Sequence, residues 1–244
     1  MGAGMRYLPS GDCALTVEFG ARVDRRINRQ VMALDAALKA RMQAGALDGV
    51  IETVPTFRSL TIHYNPLVLD HAQLCARIDA LDIAPLGEVA GGRRVTLPVA
   101  YGGDHGPDLD EVGAAGGLGI EEAIALHSGV VHYVYMIGFA PGHPYMGDLP
   151  PELTLPRRKT PRTRIAPGTV AVAVGQTVIY PFASPGGWHA IGRTPAALFD
   201  ITREEPTLLR AGDEVRLRPI GAEEFDDLAA RPIEDRITIE EAHR

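Results

Sequence analysis

The segment from Gly138 to Pro195 limits the possible folds of this chain most strongly, because glycine, proline and basic residues are concentrated in it. It also contains Trp188, the single tryptophan of the chain. Glycine permits positive φ and proline fixes φ, so a segment rich in both favours short strands joined by defined turns over long helices. Loops on such a β-scaffold commonly carry binding residues. We therefore predict a β-rich domain whose functional residues lie within this segment.

The composition is that of a globular protein. Hydrophobic residues make up 45% and charged residues 23% of the 244 residues, and the apolar runs are too short to predict a membrane span. The N-terminal sequence lacks the basic start and apolar core of a secretory signal. The formal net charge of −7 argues against general nucleic-acid binding. Cys13 and Cys75 form no CxxC pair, so we predict no disulfide framework and a cytoplasmic location.

The first part of the chain mixes the periodicities of strands and helices. Apolar residues alternate with polar ones at 15–19 and 60–64, which indicates half-buried strands. Between these strands, apolar residues recur at helical spacing over 27–42. Asp70 and Gln73 predict a capping box at the start of a second helix. These patterns together predict an α+β domain.

Strand patterns dominate the later part of the chain. Five apolar runs bounded by turn residues predict strands at 94–99, 130–137, 169–174, 177–180 and 214–218. Helices are predicted only at 120–127 and 222–230. Residues 84–92 have the glycine and proline content of a linker. We thus predict an α+β N-terminal domain over 1–90, followed by a mainly-β domain over 91–244 that is a barrel or a sandwich.

Five basic residues lie close together within the glycine- and proline-rich segment. They are Arg157, Arg158, Lys159, Arg162 and Arg164, and we call residues 157–164 the basic loop. Prolines in and beside this loop reduce its conformational freedom, so its guanidinium groups can bind a carboxylate or phosphate in a bidentate manner at lower entropic cost. A solvated loop without a ligand is the alternative. We favour anion binding and predict that all five residues take part.

Further candidate site residues follow the basic loop. Gln176 and Arg193 offer hydrogen-bond donors, and Trp188 stands after two glycines. Trp188 forms either an aromatic wall beside a ligand or a plug of the barrel core. We predict that these three residues bind the ligand together with the basic loop, at the mouth of a barrel. No motif identifies the catalytic residues, for which His189 and Tyr180 are the candidates.

The position of His127 in the sequence indicates a structural role rather than a catalytic one. It lies with Ile120 and Ile124 on the apolar face of the helix predicted at 120–127, which is more typical of a core histidine with satisfied hydrogen bonds than of a ligand. Its spacing from His132 does not fit a helical zinc site, and we predict no metal site. The sequence also lacks a P-loop and a GxSxG nucleophile motif.

Six runs of the sequence carry a family resemblance. In chain order they are GDCALTVEFG, VPTFRSLTIHYNP, GFAPGHPYMG, LPRRKTPRTRIAPGTVAV, GQTVIYP and SPGGWHAIGRTP. Together they resemble the KipI / PxpB family, known also as allophanate hydrolase subunit 1 or the carboxyltransferase C–D domain. The resemblance implies a cyclophilin-like barrel that follows a small α+β N-terminal domain.

The resemblance also implies a function. Proteins similar to this one are the B subunit of ATP-dependent 5-oxoprolinase, which opens 5-oxo-L-proline to L-glutamate together with an A subunit and a cyclophilin-like C subunit. The resemblance therefore implies a small acidic substrate and a chain that is inactive alone. It also implies that the complex uses ATP, although no ATP, metal or biotin site is evident on this chain. No nucleic-acid or membrane partner is expected. Two alternatives stay open: a KipI-like inhibitor of a sensor histidine kinase, and a protein related to the subunits of allophanate hydrolase or urea carboxylase.

Three residues depart from the family pattern. His143 stands where the family usually has an aromatic residue, and Val174 and Val178 stand where it has glycines. A valine is unfavourable at a position that needs positive φ or a close ligand approach. We therefore expect either a different local turn or a narrower pocket.

Overall fold

The computed structural model of the chain describes residues 5–81 and 93–241. Its contacts divide the chain into two compact units, Met1–Ala90 and Gly91–Arg244. The linker that the sequence predicts at 84–92 lies outside the described residues. Within the described residues, no helix combines the length and apolar character needed to cross a membrane.

The first unit is an antiparallel sheet with two helices. Its elements are β1 (Arg6–Pro9), β2 (Ala14–Glu18), α1 (Arg25–Gln43), β3 (Val50–Pro55), β4 (Ser59–Tyr64) and α2 (His71–Asp79). The strands lie in the order β1-β2-β4-β3. The alternating apolar residues predicted at 15–19 and 60–64 and the apolar faces of both helices form one buried cluster.

Side-chain caps define where both helices of this unit begin. The Asp24 carboxylate accepts hydrogen bonds from the Arg26 and Ile27 amides at 2.7 and 3.2 Å, and so starts α1. The capping box predicted for α2 is confirmed. The Asp70 side chain accepts from the Gln73 amide at 2.8 Å, and the Asp70 amide donates to the Gln73 side chain at 3.2 Å.

The second unit is mainly β. Its strands are β5 (Arg93–Tyr101), β6 (His132–Ile137), β7 (Pro144–Gly147), β8 (Arg162–Ile165), β9 (Thr169–Ala173), β10 (Gln176–Ile179), β11 (Ser184–Gly186), β12 (His189–Arg193), β13 (Glu214–Ile220) and β14 (Thr238–Glu241). Its α-helices are α3 (Leu109–Ala115), α4 (Ile120–Gly129) and α5 (Ala222–Ala229). Single 3-10 turns lie at Pro151–Leu153 and Ile233–Asp235.

Seven strands close into a barrel. They follow one another in the order β12-β9-β10-β7-β6-β13-β5, and β5 then pairs with β12 through Gly192 opposite Tyr101 and Arg193 opposite Ala100. The β5–β13 pair is parallel, and the other pairs are antiparallel. Because the sheet closes, each of the seven strands has a paired neighbour on both sides. The sequence left a barrel and a sandwich open for this domain, and the barrel is correct.

Strand β9 is buried on both of its faces. Val170 and Val172 belong to the cluster that fills the barrel, whereas Ala171 and Ala173 belong to a separate cluster that contains Trp188. Because successive side chains of a strand point to opposite faces, the second cluster lies on the outside of the barrel. The two-stranded sheet of β8 and β11, which we call the outer ribbon, contributes Ile165 to this second cluster.

Several elements were not predicted. Strands β7, β8, β11, β12 and β14 are only three to five residues long and contain or adjoin glycine or proline in most cases, so their periodicity is too weak to detect. Helix α3 was missed as well. In α4 the predicted apolar face is wrong at Ile120, which is 48% exposed. Ala123 is buried instead, because it lies close to Gly113 of α3.

The turn between β9 and β10 keeps a glycine-like conformation although it contains a valine. Gln176 pairs with Ala173, so the loop has two residues, Val174 with φ 47° and Gly175 with φ 76°. Two positive φ values identify a type I′ turn, in which asparagine and glycine are preferred. Val174 thus adopts the positive φ that is unfavourable for valine, and it is a strained residue on the surface.

Val174→Asn should stabilise the protein by about 1 kcal/mol, because asparagine tolerates the left-handed conformation that costs valine roughly this amount. Val174 is 50% exposed, so little packing is lost. Chemical denaturation of both proteins measures the difference. Val23→Asn is the matched control, since Val23 is 51% exposed and does not have positive φ. A gain of equal size in the control would contradict the strain explanation.

Candidate functional site

A cavity of about 120 Å³ lies against the outer face of the barrel. We call it the aromatic cavity, because its side-chain walls are mostly aromatic. They are Phe139, His143, Tyr145, Arg157, Tyr180 and Trp188, together with residues 185–187. The sequence predicted a site at the barrel mouth. The structure instead places this cavity outside the barrel, whose interior is filled by apolar side chains.

Two neighbouring strands of the barrel position the tyrosines. Tyr145 of β7 pairs with Val178 of β10, and Tyr180 follows two residues later on the same face. The His143 ring lies between them, with centroids 5.0 Å from Tyr145 and 5.1 Å from Tyr180. A Cβ atom at Gly186 of the outer ribbon would lie 2.2 Å from the Tyr180 hydroxyl oxygen, so a larger residue at this position would displace the Tyr180 side chain.

The histidine and the two tyrosines of the aromatic cavity are uncharged at neutral pH. His143 is 3% exposed, and this burial lowers the pKa of its imidazole to about 4. Burial, together with the nearby Tyr145, raises the pKa of Tyr180 to about 12. Within the part of the chain that the structure describes, His143 Nδ1 has no hydrogen-bond partner. The cavity therefore offers neutral hydrogen-bonding groups in an apolar setting.

Phe139 lies at the rim of the aromatic cavity in a strained conformation. Its φ is 68° and its side chain is 70% exposed, with the ring centroid 5.4 Å from that of His143. Hydrogen bonds from the Gly138 amide to the His143 carbonyl and from the His143 amide to the Ala140 carbonyl close this loop. Strained residues of this kind concentrate at functional sites, because ordinary packing does not require them.

Arg157 is the cation of the aromatic cavity. Its guanidinium carbon lies 5.6 Å from the centre of the Trp188 ring, within the range of a cation–π interaction. Across residues 5–81 and 93–241, Arg157 makes no hydrogen bond or ion pair. Arg157 also lines a second, open cleft of about 350 Å³. We call it the cationic cleft, and its other charged or titratable residues are Glu111, Arg158, Lys159 and His189.

Asp108 neutralises two of the five predicted anion-binding residues. Its carboxylate accepts hydrogen bonds from Arg158 at 2.8 Å, from Arg162 at 2.7 Å through two nitrogens, and from the Ala190 amide at 2.7 Å. Burial by itself raises the pKa of Asp108, but the hydrogen bonds and charges of these donors outweigh it and lower the pKa below its usual value. Arg158 and Arg162, which the sequence predicts to bind an anionic ligand, are thus paired with a carboxylate of the chain itself.

Three other predicted residues lie away from both cavities. Arg164 is exposed on β8. Arg193 donates to the Pro167 carbonyl at 2.8 Å and lies over the Phe225 ring. Gln176 begins β10, and four residues of extended strand, roughly 13 Å, separate it from Tyr180. The structure thus brings Arg157 and Trp188 together, but neither Gln176 nor Arg193 joins them.

His189 and Tyr180, the catalytic candidates, line different cavities. His189 is buried, and its Nε2 donates a hydrogen bond to the Pro156 carbonyl at 2.9 Å. In the neutral ring the proton is therefore on Nε2, and Nδ1 is the acceptor. Glu111 Oε1 lies 3.9 Å from Nδ1, beyond hydrogen-bonding distance. A small movement of the exposed Glu111 side chain would let its carboxylate accept a hydrogen bond from Nδ1 when that nitrogen also carries a proton.

The predicted core role of His127 is confirmed. The ring is fully buried, its Nδ1 lies 2.9 Å from the Tyr101 hydroxyl, and its Nε2 lies 3.1 Å from the Thr177 hydroxyl. Both ring nitrogens thus have partners. Among the residues that the structure describes, no group of three or more histidine, cysteine, aspartate or glutamate side chains is arranged to hold a metal ion.

Sequence reasoning missed Asp108 and the aromatic residues Phe139 and Tyr145. Asp108 is 50 residues from Arg158 and 82 from Ala190, and a single aspartate has no local pattern that reveals such partners. Phe139 and Tyr145 were visible only as part of a turn-rich run. His143 had one signal, since it stands where the resembling family usually has an aromatic residue.

Asp108→Asn should destabilise the protein by about 3 kcal/mol, because it removes the charge that two buried or half-buried arginines require. Urea denaturation measures the loss. Glu111→Gln is the control, since Glu111 contacts the same Arg158 at 3.3 Å but is exposed, and its loss should cost less than about 1 kcal/mol. Equal effects of the two substitutions would contradict the central role of Asp108.

Stability should fall as pH decreases from 6.5 towards 4, partly through His143. The unfolded ring gains a proton near its ordinary pKa of about 6.5, whereas the folded ring resists protonation down to about 4, so the lower pH favours the unfolded state. His143→Phe should remove up to about 3 kcal/mol of this loss. Chemical denaturation of both proteins at pH 7 and pH 4 measures the change in the free energy of unfolding. His71→Phe, at an exposed helix position, is the matched control, and an equal effect in this control would contradict the assignment to His143.

Comparisons with known proteins agree with the family resemblance. The family model for the carboxyltransferase domain, subdomain C and D, matches residues 5–209. The chain is 38% identical over 226 residues to the 5-oxoprolinase B subunit of Bacillus subtilis (strain 168), which covers 88% of this chain and 92% of the relative. It is 36% identical over 219 residues to the 5-oxoprolinase B subunit of Haemophilus influenzae, covering 90% of this chain and 100% of the relative.

A solved structure supports the fold over most of the chain. The crystal structure of TTHA0988 matches with a TM-score of 0.76 and 38% identity, covering 86% of this chain and 40% of TTHA0988. This chain thus spans less than half of the length of TTHA0988. Because the family model matches most of its residues and its relatives match along nearly their whole length, the chain belongs to the carboxyltransferase-domain family of subdomains C and D.

Proposed function

We propose that this chain is the B subunit of an ATP-dependent 5-oxoprolinase that opens 5-oxo-L-proline to L-glutamate with an A and a C subunit. The observation that carries the proposal is the similarity to two proteins named as B subunits of 5-oxoprolinase, along 92% and 100% of their lengths. The chain is inactive alone, acts in the cytoplasm, and has a cyclophilin-like barrel. The seven-strand closure supports this last assignment.

The chemistry explains why such a reaction needs ATP. A lactam is an amide and therefore a poor electrophile. Transfer of the γ-phosphoryl group of ATP to the lactam oxygen activates the ring carbon, which water then attacks. Opening of the carbon–nitrogen bond and loss of phosphate with a second water leave glutamate, ADP and phosphate. None of these reaction steps is assigned to an ATP site on this chain.

The contribution of this chain is to bind and orient an acidic substrate through Arg157, which borders both the aromatic cavity and the cationic cleft. Lys159 adds positive charge along the cleft, whereas the charges of Arg158 and Arg162 are paired with Asp108. His189, with an acceptor nitrogen beside Glu111, is the group best placed to exchange a proton there. Preorganised charges of this kind stabilise a developing negative charge without a cost of reorganisation during the reaction.

Reconstitution tests the proposal. The chain is mixed with candidate A and C subunits, and ATP-dependent release of glutamate from 5-oxoproline is measured. We expect release only when all three subunits are present. Full turnover in the absence of this chain would exclude the proposal, and inhibition of a purified sensor histidine kinase by this chain alone would favour the regulatory alternative.

Arg157→Gln should lower turnover of the reconstituted complex at least tenfold, because it removes a cation that both cavities share. Arg216→Gln is the matched control, since Arg216 is an exposed arginine of β13 and lines neither cavity. We expect the control to keep its turnover within twofold. Co-purification with the C subunit should be unchanged in both variants, which separates a binding defect from a failure of assembly.

A further inference from the structure

The aromatic cavity has the charge of a site for an anion. Its lining contains one cation, Arg157, and no acidic side chain. Arg158 and Arg162 are occupied by Asp108, so they do not compete with Arg157 for a ligand. A guanidinium group without a bound carboxylate can accept one in bidentate geometry.

The dimensions and walls of the cavity favour a small ring. Its volume of about 120 Å³ is well below the roughly 300–1,000 Å³ of sites for drug-sized ligands, so the cavity favours a small ligand over a nucleotide. The Trp188 and Tyr180 rings provide flat apolar surfaces. Arg157 already lies over Trp188, so a ring placed against that wall brings its carboxylate next to the guanidinium group.

The remaining polar groups suit an amide. His143 is nine-tenths or more buried, lines the cavity, and has an Nδ1 without a hydrogen-bond partner among the described residues. A buried polar atom without a hydrogen-bond partner is unfavourable. A ligand that rearranges the residues around His143 Nδ1 can supply the missing hydrogen bond. The neutral Tyr180 hydroxyl can donate to a carbonyl oxygen. An amide within a ring presents both a donor and an acceptor.

We propose that the aromatic cavity binds a five-membered cyclic amide that carries one carboxylate, and that this chain binds it without its partners. The carboxylate pairs with Arg157, the ring lies against Trp188 and Tyr180, and the amide faces His143. The identity of the ligand as 5-oxo-L-proline rests on the proposed function. The existence of the site rests on the cavity alone.

Trp188 makes a direct test possible. It is the single tryptophan of the chain and lines the cavity, so the intrinsic emission of the full chain reports on occupancy. Three probes are titrated: L-5-oxoproline, 2-pyrrolidinone, which has the same ring without the carboxylate, and acetate, which has the carboxylate without the ring. We expect saturable binding of L-5-oxoproline with a dissociation constant at least tenfold lower than those of the other two.

Variants identify the residues. Arg157→Gln should weaken binding of L-5-oxoproline at least tenfold, and His143→Phe, which keeps an aromatic wall, about fivefold. Arg216→Gln should stay within twofold. Circular dichroism and thermal unfolding establish that each variant is folded. Equal weakening by Arg157→Gln and Arg216→Gln would indicate a general effect of charge and overturn the assignment of Arg157, and unchanged affinity in His143→Phe would remove His143 from the site.

The outcomes separate this site from the proposed function. Absence of saturable binding to the wild-type chain, or equal binding of acetate, overturns the site even where the reconstituted complex releases glutamate. Binding of L-5-oxoproline by the chain alone, combined with absence of glutamate release from the complete complex, supports the site and overturns the proposed function.

Discussion

The buried carboxylate of Asp108 is the interaction on which the geometry of the candidate site depends. It binds Arg158 of the basic loop and the Ala190 amide of β12 at the same time. A carboxylate is buried only where such donors satisfy it, so loop and strand are held together. Arg157 is the neighbour of Arg158, and Trp188 is two residues from Ala190. The contact between guanidinium and indole therefore follows from the position of Asp108.

The second requirement is space on the outer face of the barrel. Ala171 and Ala173 project outwards from β9, and their small side chains leave room for the Trp188 ring beneath the outer ribbon. Valines at alternate positions of the same strand fill the barrel interior. The absence of a side chain at Gly186 leaves space for the Tyr180 hydroxyl group, because a Cβ atom there would lie in the same position. Small residues at a few positions thus determine where an aromatic wall can form.

Sequence patterns predicted the features whose interactions lie within a few residues of one another. The capping box at Asp70 and Gln73 was visible because its partners lie three residues apart. The strands β5, β9, β10 and β13 were recognisable from continuous or alternating apolar runs, whereas the short strands beside glycine and proline were not. Positive φ at Val174 shows that closure of a hairpin can impose a conformation against the preference of the residue in it.

The sequence by itself determined the family, the mixed first unit, the mainly-β second unit and the glycine- and proline-rich segment that contains most of the candidate site. Only the tertiary structure decided which charges are free. Arg157 and Arg158 are adjacent and chemically identical, yet one lies over an indole ring and the other is bound to a carboxylate 50 residues away. Periodicity and turn propensity describe contacts within a few residues, whereas charge pairing depends on distances that closure of the barrel alone establishes.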